Sequence, residues 1–218
     1  MPNVPQPSVL SIGTFDGVHL GHQALIRRAR EIARENPGTR VVALVFKPNP
    51  LEVLRPEAAP PRLSMFEQRK AWILAAGADE VVRLEPTREF LAESPEQFVN
   101  ECVAKYRPVA FVEGDDFHFG RARAGNNALL AEMGRTMGFG VEVVPTVSIA
   151  LTDHQLVSAR STIVRWLLGN GRVRDAAIVL DRPYELIGTV VRGDRRGRTI
   201  GFPTANLETP TLVPADGV

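Results

Sequence analysis

Apolar and polar positions alternate between two rhythms along the first 150 residues. Val9 to Ile12 is a short apolar run ending at Gly13, and Val41 to Phe46 is a continuous β-branched and apolar run. Such runs mark strands covered on both faces. Between them, Gly21 to Glu35 carries Leu25, Ile26, Ala29, Ile32 and Ala33 at helical spacing, and Asn36-Pro37-Gly38 ends it. The first 46 residues therefore predict strand, loop, helix and strand. The pattern repeats: Ser64 to Ala76, Pro95 to Tyr106 and Asn127 to Met137 predict helices. Glu80 to Leu84, Val109 to Val112 and Val141 to Val147 predict the strands that follow them. This alternation predicts an α/β fold, a parallel doubly wound sheet with right-handed crossovers.

The rhythm changes after about Thr152. Arg160 to Leu168 and Val173 to Leu180 predict two short helices around Gly169-Asn170-Gly171. From Tyr184 onward β-like runs are broken by Gly193, Gly197 and Gly201. Two domains are expected: residues 1–182, including the two short helices, and residues 183–218, the start of a β domain. About 35 residues do not make a stable β domain alone, so the second is expected to be truncated. Pro56, Pro60 and Pro61 mark a stiff loop.

The 218 residues are 44% hydrophobic and 23% charged, with a formal net charge of +1. No long-range basic field exists to collect nucleic acid, so small anions must be held by local groups. The single cysteine, Cys102, excludes an internal disulfide and reads as a buried thiol. The N-terminus lacks the pattern of a secretory signal, and no apolar stretch approaches the ~18 residues of a membrane helix. A soluble, cytoplasmic protein with no membrane partner is expected.

Chemistry concentrates in Gly13-Thr14-Phe15-Asp16-Gly17-Val18-His19-Leu20-Gly21-His22-Gln23, between the first strand and the first helix. In an open parallel sheet, ligands bind at the carboxyl ends of strands, near the point where the winding reverses. Gly13, Gly17 and Gly21 permit close backbone approach, and the helix N-terminus offers free N–H groups to phosphate. His19 and His22 are three apart, so both can face one phosphate pocket and donate to oxygens that gain charge. A zinc pair needs a third ligand, and His118 and His154 lie in unrelated segments. The phosphate reading is favoured over zinc and over packed core histidines.

Within this loop, His19-Leu20-Gly21-His22 resembles the HxGH signature of the nucleotidylyltransferases. Other segments narrow the resemblance. FKPNP (Phe46 to Pro50), EGDDFHFG (Glu113 to Gly120), RSTIVR (Arg160 to Arg165), DRPY (Asp181 to Tyr184) and GRTIGFPTANL (Gly197 to Leu207) come in the order found in prokaryotic bifunctional riboflavin kinase/FAD synthetases. The resemblance covers nearly the whole chain. It implies a Rossmann-like nucleotidylyltransferase domain followed by the start of a riboflavin kinase β-barrel. It also implies adenylyl transfer from ATP to FMN with loss of pyrophosphate, with Mg²⁺ carried mainly by ATP and no zinc site.

The same resemblance suggests residue roles. His19, His22 and Arg165 are expected to be catalytic. Gly13, Thr14, Phe15, Asp16, Gly21, Ser161 and Thr162 are expected at ATP, the last two with Arg165 at its distal phosphates. Pro48, Asn49, Pro50, Asp115, Asp116 and Phe117 are expected near the flavin. An aromatic there suggests stacking, and a carboxylate suggests ribose, amide or magnesium contact; the plainer alternatives are a Gly-Asp turn and core phenylalanines. Thr204 and Asn206 are expected at nucleotide and Mg²⁺ in the kinase domain, whose acidic base lies beyond residue 218. Kinase activity is accordingly expected only of a full-length form, which could also be a homo-oligomer. Asn49 stands where the family usually has His. Arg160 and Ile163 replace a Ser and an Arg of the family's SSTRIR pattern. Another phosphate acceptor, or a weakened flavin- or nucleotide-binding protein, is the competing reading.

Overall fold

The structure is a computed structural model that describes residues 6–192, 201 and 205–215. In chain order it places β1 (Ser8–Gly13), α1 (Leu20–Glu35), β2 (Arg40–Phe46), α2 (Pro50–Leu54), α3 (Phe66–Ala75), β3 (Glu80–Leu84), α4 (Pro95–Tyr106) and β4 (Pro108–Gly114). Two short strands, β5 (His118–Phe119) and β6 (Gly125–Asn126), precede α5 (Asn127–Met137) and β7 (Gly140–Val144). A hairpin of β8 (Ser148–Ala150) and β9 (Leu156–Ser158) leads to α6 (Ser161–Gly169) and α7 (Val173–Leu180). Finally β10 (Thr189–Val191) pairs antiparallel with β11 (Asn206–Glu208).

The expected parallel sheet is present, with strand order β3-β2-β1-β4-β7 and every pairing parallel. Its inner strands are mostly apolar because successive side chains enter cores on opposite faces of the sheet. Val9, Val41, Ala43 and Val45 face one core with Ile26 and Ala29 of α1. Leu10, Val42 and Leu44 face the other with Phe98 and Cys102 of α4 and Leu130 of α5. A third apolar cluster joins α6 and α7 to Leu63 and Leu151.

Local chemistry sets the boundaries. Ser94 accepts from the Gln97 amide while Gln97 reaches back, and Pro95 opens α4. Asn126 caps α5, and Gly138 closes it in the left-handed region. β7 stops at Val144, three residues short of the expected strand, because Pro145 has no N–H to give the ladder. Helix α3 begins at Phe66, not Ser64, because the Ser64 hydroxyl is used elsewhere: it donates to Asp16 and accepts from the Gly17 N–H.

The described residues from Tyr184 onward are few but tied down. Tyr184 Oη donates to the Leu212 carbonyl at 2.7 Å, the Leu212 N–H reaches the Arg62 carbonyl, and the Ala215 N–H reaches that of Leu168. Gly193, Gly197, Pro203 and Thr204 lie outside the described residues.

Candidate active site

The sheet reverses its winding at the seam between β1 and β4: β1 leads through α1 to β2 on one side, and β4 is followed by β7 on the other. A cavity of about 600 Å³ lies at the carboxyl end of this seam. Its polar floor is Gly13, Thr14 and Phe15 at the end of β1, His19, Gly21 and His22 at the start of α1, and Ser161 and Thr162 at the start of α6. Its apolar wing includes Leu51 and Leu54 of α2, Phe90 and Phe117.

His19 is the N-cap of α1, and its Nδ1 accepts the His22 N–H at 3.4 Å. That role fixes the neutral tautomer of His19, with the proton on Nε2. The two imidazoles stack, centroids 3.7 Å apart and planes at 22°, and the Phe15 ring lies 5.0 Å from that of His22. Burial, then the positive charges of Arg165, Arg160 and Arg182, push His19 down to about 3. Burial, then His19 and Arg69, hold His22 well below the usual histidine range. Near neutral pH the pair is uncharged, and it can donate hydrogen bonds without storing a positive charge.

Two glycines of this loop serve packing between protein segments. A Cβ on Gly21 would lie 2.9 Å from the Ala159 carbonyl oxygen and 3.1 Å from His19 Nδ1, so the start of α1 seats directly on the approach to α6. Gly17 has φ +77°, and a side chain there would meet Leu63 at 3.0 Å.

Asp16 does not line the large cavity. Its buried carboxylate accepts from the Leu63 and Ser64 N–H groups and the Ser64 hydroxyl, and pairs with Arg165 at 2.5 Å. Arg165 Nε donates to the Pro61 carbonyl, so this guanidinium is turned away from the cavity lining and joins α6 to the two loops. The Ser161 hydroxyl donates to the Asp16 carbonyl oxygen at 2.7 Å. Pro48 likewise lines a separate small cavity with Lys47, Arg62 and Arg69. Asn206 lies on exposed β11, outside the lining.

The remaining expected residues converge. Asn49 and Pro50 line the apolar wing. Asn49 also caps α2: its Oδ1 accepts the Leu51 N–H while Glu52 accepts the Asn49 N–H, each at 3.0 Å. Asp115 and Asp116 form the opposite lip, where Thr146 donates to Asp115 and Arg160 reaches Asp116 at 3.0 Å. The Thr146 hydroxyl, helped by the Thr146 N–H and Arg160 and opposed by burial, draws the Asp115 carboxyl below its ordinary range. Phe117 stacks on Phe119 at 5.5 Å; Phe119 is buried core, while Phe117 is partly buried and faces the cavity. Burial pushes Cys102 up to about 12, which makes it an inert core thiol.

Glu113, the first residue of the EGDDFHFG segment, carried no expected role. It is 1% exposed, lines the cavity floor, and accepts the Ile12 N–H at 2.9 Å. Burial pushes its carboxyl well above the usual range despite that hydrogen bond. Its signal was a carboxylate closing the apolar run from Val109 to Val112. Thr146 carried no signal.

A family model described as FAD synthetase matches residues 1–160, and one described as riboflavin kinase matches residues 180–218. The chain belongs to the FAD synthetase family. Its relatives include proteins named bifunctional riboflavin kinase/FMN adenylyltransferase. The one from Escherichia coli K12 is 36% identical over 96% of this chain and 66% of its own length. That from Haemophilus influenzae is 37% identical over 99% and 68%, and that from Pseudomonas fluorescens 38% over 96% and 66%. The chain thus spans about 66% of the length of the E. coli relative. Among solved structures, this FAD synthetase family member superposes on that of a macrolide-efflux protein from Streptococcus pneumoniae. The TM-score is 0.78 at 30% identity, over 98% of this chain and 68% of that one. No helix among the described residues is long and apolar enough to cross a membrane.

Proposed function

We propose that this protein transfers AMP from ATP to FMN, giving FAD and pyrophosphate. The observation that carries the reading is the stacked, uncharged His19–His22 pair at the head of α1, on the floor of a cavity that continues into an apolar wing. Triphosphate suits the first end and a planar flavin suits the second. An FMN phosphate oxygen attacks the α-phosphorus, the new P–O bond forms, and the bond to the β-phosphate oxygen breaks as pyrophosphate leaves. No side chain needs to act as nucleophile.

His19 and His22 donate hydrogen bonds to phosphate oxygens as charge shifts onto them. The free N–H groups of α1 and the start of α6, with Thr162, hold the rest of the triphosphate. Phe117 and the α2 side of the wing take the ring. Arg165 acts at one remove, by holding Asp16 and the loop ahead of His19. Among the described residues no group of three histidine, cysteine or acidic side chains is placed to hold a metal; magnesium arrives on ATP in this reading. The setting is the cytoplasm, with neither membrane nor nucleic acid as partner. Riboflavin phosphorylation, with Thr204 and Asn206 at its nucleotide, and any homo-oligomer are proposed for a form carrying the rest of the kinase domain.

A second reading has one specific observation behind it. Arg165 is committed to Asp16, which fits a weakly turning-over nucleotide-binding protein. Incubation with FMN, ATP and Mg²⁺, read by chromatography for FAD and pyrophosphate, separates the two. ATP binding without FAD sinks the transferase reading.

A further inference from the structure

The seam between β1 and β4 opens earlier than its neighbours. β1 pairs with β2 as far as Gly13↔Val45, and β4 pairs with β7 as far as Gly114↔Val144. Between β1 and β4 the register ends at Leu10↔Phe111. The Ile12 N–H is therefore left without a backbone acceptor across the seam, at the floor of the cavity where Ile12 and Glu113 are both almost fully buried. Its acceptor is a side chain, the carboxyl of Glu113 at 2.9 Å. Among the described residues this is the only hydrogen bond the Glu113 side chain makes.

We propose that Glu113 is a positioning residue for the transfer reaction: its carboxyl spans the opened seam in place of the absent backbone bond and fixes the end of β1. Gly13, Thr14 and Phe15 follow Ile12 directly, and His19 and His22 hang from the loop they begin. A strand end free to shift toward β4 would narrow the crevice and carry that loop with it. A buried group is needed here because an orphaned N–H at this depth is costly. It must also be long, because strands that have parted cannot be bridged by a short side chain. An uncharged acid meets both needs beside a polyanionic ligand, where a carboxylate would repel phosphate.

The proposal rests on the adenylyltransferase reading, and its test uses three variants. Glu113→Gln keeps the reach and the acceptor oxygen, Glu113→Asp keeps the acid but loses one methylene, and Glu113→Val loses both. For ATP and FMN turnover, Glu113→Gln is expected to hold kcat within about threefold. Glu113→Asp and Glu113→Val should lose about tenfold or more in kcat, the scale of small misplacements of reacting groups, with less change in KM for ATP. Amide hydrogen exchange at Ile12 should quicken in Asp and Val and stay protected in Gln. A folded Asp variant with wild-type kcat, or a Gln variant as slow as Asp, overturns the proposal. If Glu113→Val does not fold, the Gln and Asp pair still decides. If the unaltered chain makes no FAD, the reading of function fails by itself, and the seam is judged by Ile12 exchange and by calorimetric ATP affinity. Equal values in Gln and Asp then overturn it.

Discussion

Replacing His19 by Asn should flatten the acid sensitivity of this protein. Asn places a side-chain oxygen near the position of His19 Nδ1 and is a good N-cap, so α1 keeps its start. What changes is titration. His19 sits at about 3 in the folded protein against 6.5 for a free imidazole, because burial and three arginines oppose its charge. A depressed base is neutral when folded and takes up a proton when unfolded. Its contribution is intact above the free value and declines as pH falls from 6.5 toward 3. At pH 5 the unfolded chain gains about 1.5 pH units of protonation free energy, or roughly 2 kcal/mol. For a domain of this size that is a melting shift of about 4–8 °C. The assay is urea or thermal unfolding of both proteins at pH 7.5 and pH 5. Carboxylates titrate alike in both, so the double difference isolates His19. A loss between the two pH values that is equal within about 0.5 kcal/mol would refute the reasoning.

Three further outcomes follow from the geometry. His22→Ala should leave the circular dichroism spectrum unchanged and lower FAD formation roughly a hundredfold, the size of a lost transition-state donor; undiminished turnover removes His22 from the chemistry. Asp16→Ala should destabilise by about 3–5 kcal/mol, since it leaves Arg165 charged and largely enclosed and orphans the Leu63 and Ser64 amides; a denaturation midpoint within 1 kcal/mol of wild type contradicts the network. Gly21→Ala should cost at least about tenfold in turnover, because its Cβ would meet the Ala159 carbonyl at 2.9 Å and displace α1 from α6; kinetics indistinguishable from wild type would show that this approach is slack.

The elements that sequence predicted well are long and periodic. Gly21 to Glu35 differs from α1 by one residue, and Asn127 to Met137 matches α5. Elements it missed are short. Helix α2 has five residues, less than two turns, and the β8–β9 hairpin has three-residue strands, too brief for any period to register. The histidine pair was legible because its members are the N-cap and a first-turn residue of one helix. Asp16 and Arg165 were not, because their partners are far away in sequence: Leu63 and Ser64 lie 47 and 48 residues beyond Asp16, and Arg165 lies 149 beyond it. Spacing places residues near a cavity but does not say which of them another segment has already claimed. Glu113 shows the same limit, since nothing in the chain announces that the sheet parts two residues beyond Leu10.

Helix α2 buries none of its residues, and Leu51 and Leu54 remain 40% and 49% exposed. What anchors it is chiefly the Asn49–Glu52 cap and the ion pair between Glu52 and Arg62. The opposite end of the cavity is stacked histidine, enclosed carboxylate and sheet. One bowl thus has a stiff rim and a yielding rim, and local opening is cheapest where fewest apolar contacts resist it. On the function proposed here, discrimination should be strict for the phosphate chain and lenient for the ring. A flavin with a bulkier edge meets a wall that can step aside, whereas a shortened or lengthened polyphosphate meets one that cannot.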